Sequence, residues 1–149
     1  GSNDISEFNA CIQASTTCGT PNGTLVPVST SATAAGISPV AFIVNPVVNF
    51  VYAVDARSNQ ISQYRYNSAT GALTSLAPAA VSTSSTPAAG GITGDGSFLL
   101  VPDTGASSMS VFSVGSATSN TGTPPNGRLA PAAAPSVLLT GQPSAMIVR

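Results

Sequence analysis

Hydrophobic and polar positions along the chain form short runs that are separated by turn residues. In the most regular part of the sequence these runs cover residues 40–44, 50–54, 61–66 and 73–76. Short runs rich in β-branched and aromatic residues, bounded by Gly, Pro, Asn or Asp, predict β-strands. No apolar spacing of three and four residues persists long enough to predict a helix. We therefore expect an all-β fold.

The same module returns three times with matched offsets. A strand motif begins at Ile5, Ile61 and Met109, and a Gly-x-Leu turn follows each of them. The first two copies are 56 residues apart and the last two are 48 apart, because one loop is shorter in the middle copy. A few short strands cannot bury their apolar face alone. Repetition at this spacing therefore predicts β-propeller blades, each a four-stranded antiparallel sheet.

The offsets also predict where each blade lies within a single partial propeller domain that spans residues 1–149. With strands labelled A to D from the inside outward, residues 1–37 supply strands C and D of a first blade. Residues 38–85 and 86–141 form complete second and third blades, and residues 142–149 supply strand A of a fourth. The chain is thus expected to hold about two and three-quarter blades.

Three segments of the second module carry a resemblance to a known family. Residues 50–55, 59–64 and 69–73 resemble the lactonase-like seven-bladed β-propeller family and the related Tyr-Val-Thr-Asn type repeats of secreted proteins. The resemblance implies a propeller of about seven blades, of which this chain would supply fewer than three. Some members of that family open or close lactone rings with polar and charged residues around the central channel. The matched motifs are structural, so the resemblance places no catalytic residue on this sequence.

Charge is the most unusual feature of the composition. Charged residues make up 6% of the chain, against a usual share of about 25%. The formal net charge is −1, and the chain has no His. Because phosphate binding needs clustered Lys or Arg, nucleic acid is not an expected partner. The apolar runs are far shorter than the roughly 20 residues of a spanning helix, so no membrane insertion is expected.

Cys11 and Cys18 are the only cysteines. Their spacing favours a local disulfide, and two free thiols in a reducing compartment are the alternative. A Cys-x-x-Cys redox motif is not present. Low charge, many Ser and Thr residues and a disulfide together favour a secreted protein, either extracellular or periplasmic. We expect no cofactor and no metal site.

The charged residues of the second and third modules have two interpretations each. Asp55 and Asp103 end equivalent strands, and they could form a carboxylate pair or cap a structural Asx-turn; their repetition favours the turn. Arg57 and Arg65 could form a fork that holds a carboxylate or a phosphate, although solvated surface positions are favoured. Tyr66 has no aromatic equivalent in the other modules, which makes it a possible contact residue.

Aromatic residues recur in register, which predicts that they pack between neighbouring blades. One set shares a position on strand C, and it consists of Phe8, Tyr64 and Phe112. A second set on strand B consists of Phe50 and Phe98. The glycine-rich segment 90–96 lacks the Lys of a phosphate loop, and it predicts close backbone packing at the narrow centre of the propeller.

These features predict a scaffold more clearly than they predict a reaction. A Ser nucleophile needs a general base, and the absence of His leaves no candidate triad. Sheet edges that end in unpaired strands favour association with another chain, which could be an identical copy or the remaining blades of a longer chain. We therefore expect a secreted structural or binding module without catalysis of its own, with an unidentified ligand. The alternative is a fragment of a lactonase-like hydrolase.

Overall fold

The fold is described from a computed structural model that covers residues 2–14, 16, 18–20, 22–28, 32–115, 126–143 and 148. The described part is all-β, as the strand pattern predicts. A 3₁₀ turn occupies Thr104–Ala106. The strands are β1 (Asp4–Ile5), β2 (Phe8–Ala10), β3 (Leu25–Pro27), β4 (Thr33–Ala34), β5 (Pro39–Val44), β6 (Phe50–Asp55), β7 (Gln60–Tyr66), β8 (Leu73–Ser82), β9 (Gly91–Ile92), β10 (Phe98–Asp103), β11 (Ser108–Val114) and β12 (Leu129–Leu138). No helix among these residues has the length and apolar character needed to cross a bilayer.

The strands form two four-stranded antiparallel sheets and a smaller first unit. One sheet has the order β5-β6-β7-β8 and the other has the order β12-β11-β10-β9. In the first unit, β1 pairs with β4 and β2 pairs with β3. The edge strands β5 and β9 contact each other. Two meander sheets that meet at their first strands have the architecture of β-propeller blades, which confirms the predicted fold class.

Pairing details repeat between the two sheets. Pro39 pairs with Asp55, and Pro87 pairs in the same way with Asp103. The register between the third and fourth strands shifts at Ser62 and Tyr64 in one sheet, and 48 residues later in the other. The predicted strand A at the end of the chain falls largely on residues 144–147, which lie outside the described part.

The outermost strand of the second blade is longer than the sequence pattern indicates. The apolar run predicts a strand over residues 73–76, whereas β8 extends from Leu73 to Ser82. The extension includes Pro78, which would normally end a strand assignment. An edge strand tolerates proline because one of its sides has no ladder to complete, and the register shift opposite β8 absorbs the irregularity.

The main core lies between the two complete sheets. It consists of the buried residues Ile43, Phe50, Tyr52, Val54, Ile61, Leu99, Val101, Phe112, Val114 and Leu129. Within it the hydroxyl of Tyr52 donates a hydrogen bond to the carbonyl oxygen of Gly127 at 2.8 Å. Burial raises the pKa of Tyr52, so this hydroxyl remains protonated and acts as a donor. A smaller core of Val51, Ala53 and Tyr64 joins the second sheet to the first unit.

The aromatic positions only partly follow the prediction that all of them are core. Phe50, Tyr64 and Phe112 are buried, but Phe8 is 51% exposed and Phe98 is 43% exposed. Both exposed rings lie on units at the ends of the described array. Tyr64 and Phe112, the equivalents of Phe8, pack toward the preceding unit. Phe50, the equivalent of Phe98, packs toward the next blade. Within the described residues no further sheet lies against these two rings, so the expected packing between units is observed only for Phe50, Tyr64 and Phe112.

Asparagine residues in the turns hold consecutive units together. Asn3 and Asn59 both adopt positive φ, at 58° and 51°. The side-chain oxygen of Asn3 accepts from the backbone N–H of Ser38 at 2.9 Å, and that of Asn59 accepts from Thr86 at 2.8 Å. Each bond ties the turn of one blade to the segment that opens the next. The third blade has Ser107 at the equivalent position, also at positive φ.

Glycine at position 90 allows a close approach between the two complete sheets. A Cβ atom placed on Gly90 would lie 2.7 Å from the Cδ1 atom of Ile43, which is too close for an ordinary contact. The backbone just before β9 therefore packs against a side chain of β5 at this point. The close packing predicted for the glycine-rich segment is confirmed at Gly90.

Candidate functional site

A polar cleft lies at the junction between the first unit and the second blade. It is a cleft of about 470 Å³ that is lined mainly by Ser2, Asn3, Asp4, Ile37, Ser38 and Arg57. These residues belong to the start of β1 and the turn before it, to the segment between β4 and β5, and to the turn between β6 and β7. Two blades must meet to form the cleft, so no single module predicts it.

Local backbone geometry positions the walls of this polar cleft. The left-handed conformation of Asn3 aims its side-chain oxygen at the N–H of Ser38, which is itself at a φ of 60°. The N–H of Arg57 donates to the carbonyl oxygen of Ile37 at 3.1 Å, which fixes the β6–β7 turn against the opposite wall. The cleft is therefore held by hydrogen bonds on both sides.

The cleft contains one cationic and one anionic group. Arg57 is exposed, and it makes no ion pair with any residue in the described part of the chain. One carboxylate oxygen of Asp4 accepts a hydrogen bond from the hydroxyl of Ser2 at 2.7 Å. A free guanidinium can bind a carboxylate, a phosphate or a polarised carbonyl oxygen. This arrangement suits a small polar ligand with an oxygen-rich end.

Asp55 and Asp103 lie at equivalent strand ends, and both are fully buried. Their hydrogen bonds differ from the expected Asx-turn: Asp55 accepts from the hydroxyl of Ser62 at 2.7 Å, and Asp103 accepts from the hydroxyl of Ser110 at 2.6 Å. The donors lie on the next strand because the sheet brings them opposite the carboxylates. One oxygen of each carboxylate has no hydrogen-bond partner in the structure. Burial raises the pKa of Asp103, and the bonds from Ser110 offset this only in part.

The structure does not bring Arg57 and Arg65 together. Arg57 lies in the β6–β7 turn, whereas Arg65 pairs with Phe50 near the other end of the same hairpin. Its guanidinium lies 5.3 Å from the centre of the Phe50 ring, which is the geometry of a cation–π contact. The two arginines therefore form no fork, and only Arg57 belongs to the polar cleft.

Tyr66 lies in an apolar groove and not on an open surface. It is half-buried, and the groove of about 340 Å³ beside it is also lined by Ile5, Phe42, Val44 and Leu73. Sequence reasoning missed this groove because the apolar run 40–44 indicates a strand that is covered on both faces. In the structure only one face of β5 is covered. Alternation of exposed and buried residues is visible only once the neighbouring strands are placed.

Cys11 and Cys18 form a disulfide bond, as predicted. Cys11 is buried directly after β2, and its N–H donates to the carbonyl oxygen of Thr24 at 2.9 Å. The disulfide closes the loop between β2 and β3, at the opposite end of these strands from the polar cleft. It is therefore part of the scaffold. The described residues include no group of three or more His, Cys, Asp or Glu side chains that could hold a metal ion.

The paired meanders and the shared inner edge define a β-propeller, and comparison with known proteins agrees with this class. No protein-family model matches the sequence, and no curated protein matches it. A 6-phosphogluconolactonase-like protein from Bacteroides fragilis has 18% identity and a TM-score of 0.68, over 83% of this chain and 32% of that one. A protein from Lactobacillus plantarum has 26% identity and a TM-score of 0.61, over 87% of this chain and 34% of that one.

A third similar structure is a functionally unknown protein from Desulfotomaculum acetoxidans. It has 21% identity and a TM-score of 0.54, over 72% of this chain and 30% of that one. The chain thus spans about a third of the length of these three solved structures. Together these similarities support a lactonase-like propeller fold.

Proposed function

We propose that this chain forms part of a lactonase-like β-propeller hydrolase that opens the lactone ring of a small polar substrate. The observation that supports the proposal is the similarity of 83% of the chain to the 6-phosphogluconolactonase-like protein, at a TM-score of 0.68. This similarity favours the hydrolase over the purely structural module that the composition suggests. The polar cleft is the part of the described surface that fits such a substrate.

Two side chains of the cleft have the chemistry that lactone opening requires. Water attacks the carbonyl carbon, and negative charge develops on the carbonyl oxygen before the ring C–O bond breaks. The guanidinium of Arg57 binds that oxygen. The carboxylate of Asp4 accepts the proton that the attacking water loses and passes it to the ring oxygen, which leaves as an alcohol when the C–O bond breaks. Arg57 would therefore stabilise the transition state and Asp4 would act as the general base.

Acid release from glucono-δ-lactone in a pH-stat tests this assignment, with spontaneous hydrolysis measured alongside. We expect the chain to accelerate release, and we expect Arg57→Gln to lower kcat/KM about 10²-fold, as the loss of an oxyanion donor does. Arg128→Gln is the matched control, because Arg128 is also exposed but lies in the turn before β12, away from the cleft. A rate equal to spontaneous hydrolysis, or an unchanged rate for Arg57→Gln, would contradict the proposal.

A secreted binding module is the second candidate, and the disulfide between Cys11 and Cys18 is consistent with the export that it requires. In that case the polar cleft binds the ligand without turnover. Calorimetry with the lactone and with its open acid separates the two functions, because saturable heat without acid release identifies a binding module. A mass shift on alkylation of material taken directly from the producing cells reports the state of the thiols, and reduced cysteines there would contradict export.

A further inference from the structure

Two buried polar atoms of the third blade have no hydrogen-bond partner among the described residues. They are the Oδ1 atom of Asp103, a residue that is 0% exposed, and the hydroxyl oxygen of Ser108, which is 4% exposed. Most buried polar groups in proteins are hydrogen-bonded, and those that find no partner within the protein commonly bind a buried water or an ion. The two atoms therefore indicate a binding site inside the blade.

Strand pairing brings Asp103 and Ser108 to the same face of the sheet. Asp103 on β10 and Ser108 on β11 are direct partners in the antiparallel register. Side chains paired in this way lie on one face, with their Cβ atoms about 4.5–5.5 Å apart. Ser110 lies two positions further along β11, and its side chain is therefore on that face as well. Three polar side chains thus converge at the beginning of β11.

Ser110 fixes the orientation of the Asp103 carboxylate. The backbone N–H of Ser110 donates to the Oδ2 atom of Asp103 at 3.1 Å, and the Ser110 hydroxyl donates to the same oxygen at 2.6 Å. Because both donors bind Oδ2, neither of them satisfies Oδ1. The Ser108 hydroxyl makes no hydrogen bond with Oδ1 either. A third molecule between these two oxygens is needed to satisfy both.

The second blade has the same buried carboxylate but a larger side chain opposite it. Asp55 pairs with Gln60, which stands where the third blade has Ser108. The Nε2 atom of Gln60 and the Oδ2 atom of Asp55 both lie 2.5 Å from the point where a Cβ atom on Gly36 would be placed. An amide group therefore lies beside the carboxylate in the second blade.

Side chains around the carboxylate are smaller in the third blade. At equivalent positions, Gly36, Ser58 and Gln60 are replaced by Ser84, Ala106 and Ser108. The three replacements together contain fewer non-hydrogen atoms than the side chains of the second blade. A small molecule consequently fits beside Asp103 where the amide of Gln60 lies beside Asp55.

We propose that the third blade binds one buried water molecule between Asp103 and Ser108. The water donates a hydrogen bond to the Oδ1 atom of Asp103 and accepts one from the Ser108 hydroxyl, so that both oxygens are satisfied. Calcium would need about six to eight oxygen ligands, and the described residues include no group of three or more acidic, His or Cys side chains. Water is therefore favoured over a metal ion.

The bound water extends a chain of hydrogen bonds that joins consecutive blades. The hydroxyl of Ser110 accepts from the backbone N–H of Ser84 at 3.3 Å. Ser84 lies in the segment that connects the second blade to the third. The chain of bonds therefore runs from this connection through Ser110 and Asp103 to the water and Ser108. The proposal does not depend on the proposed function.

Magnetic relaxation dispersion of isotope-enriched water counts the water molecules that remain bound longer than the protein takes to tumble. Ser108→Ala removes one of the two partners of the water, so this variant should show one long-lived water fewer than the wild type. Ser113→Ala is the matched control, because Ser113 is also on β11 but its hydroxyl donates to the carbonyl oxygen of Ala130 at 3.2 Å. Its count should equal that of the wild type. Circular dichroism checks that both variants are folded.

A high-resolution crystal structure of the wild-type chain locates the molecule directly. We expect one density peak about 2.8 Å from both the Oδ1 atom of Asp103 and the Oγ atom of Ser108. The proposal is overturned if no peak lies between these atoms, or if Ser108→Ala has the same count of long-lived waters as the wild type. A peak with about six or more oxygen ligands at about 2.3–2.6 Å would identify a metal ion and would also overturn it.

Discussion

Replacement of Gln63 by Leu should destabilise the chain through a hydrogen bond that links two blades. Gln63 is fully buried on β7. Its side-chain oxygen accepts from the N–H of Leu129 in the next blade at 2.6 Å, and its side-chain nitrogen donates to the carbonyl oxygen of Pro78 at 3.1 Å. Leucine has a similar volume but can make neither bond. The N–H of Leu129 would then be buried without a partner.

The size of the effect follows from the exposure of the two partners. Leu129 is 5% exposed, so its orphaned N–H costs about 1–3 kcal/mol. Pro78 is exposed, and its carbonyl oxygen can return to water at little cost. We therefore expect Gln63→Leu to lower the free energy of unfolding by about 2 kcal/mol. Gln63→Glu retains an acceptor for Leu129, but it buries a carboxyl group.

Urea denaturation followed by circular dichroism measures these differences. Gln13→Leu is the matched control, because Gln13 is exposed and its replacement should change stability by less than about 0.5 kcal/mol. Burial raises the pKa of the new carboxyl in Gln63→Glu, so that variant should lose stability relative to the wild type as the pH rises from about 4 to 7. Equal urea midpoints for Gln63→Leu and wild type would refute the role of this bond between blades.

Three further predictions concern single positions. Ser107→Asn should stabilise the chain by about 1 kcal/mol, because Asn suits positive φ and its side-chain oxygen can accept from the N–H of Gln142. Asn3 and Asn59 make the equivalent bonds in the other blades. An unchanged melting temperature would contradict this prediction. Gly90→Ala should cost about 1–3 kcal/mol, and Ile43→Val should partly rescue it in a double-mutant cycle; purely additive effects would argue against the contact. Burial gives Asp103 a higher pKa in the folded chain than in the unfolded chain. Its contribution to the free energy of unfolding is therefore present at pH values below the unfolded pKa, and it is lost as the pH rises through the folded pKa. Asp103→Asn should therefore lose less stability than the wild type between pH 4 and pH 7, as measured by urea denaturation. An identical pH dependence of the free energy of unfolding in the two proteins would contradict this.

Much of the fold can be predicted from the sequence because the repeat is defined by residues that are close together in the chain. Turn glycines, strand lengths and matched offsets recur, and each is a property of neighbouring residues. The disulfide of Cys11 and Cys18 is local in the same way. The burial of Phe50 but not of Phe98 could not be read from the pattern, since both occupy the same position in the module. Only the presence of a covering neighbour distinguishes them.

The candidate site was less predictable than the scaffold. Arg57 was among the possible contact residues, but Asn3, Asp4 and Ser38 were not connected to it. These residues are far apart along the chain and come together only where two blades meet. Asp55 and Asp103 show the same limit, because the expected turn bonds are local whereas the observed serine donors lie across the sheet.

The amino-acid sequence alone determined the secondary structure, the repeat and the β-propeller class, because strand propensity, turn chemistry and period depend on residues that are close in the chain. The tertiary structure decided which residues of those strands are buried, which carboxylates are buried, and where the polar cleft and the apolar groove beside Tyr66 lie. Those properties depend on contacts between modules. A repeated motif specifies the unit, but it does not specify which residues of two consecutive units come into contact.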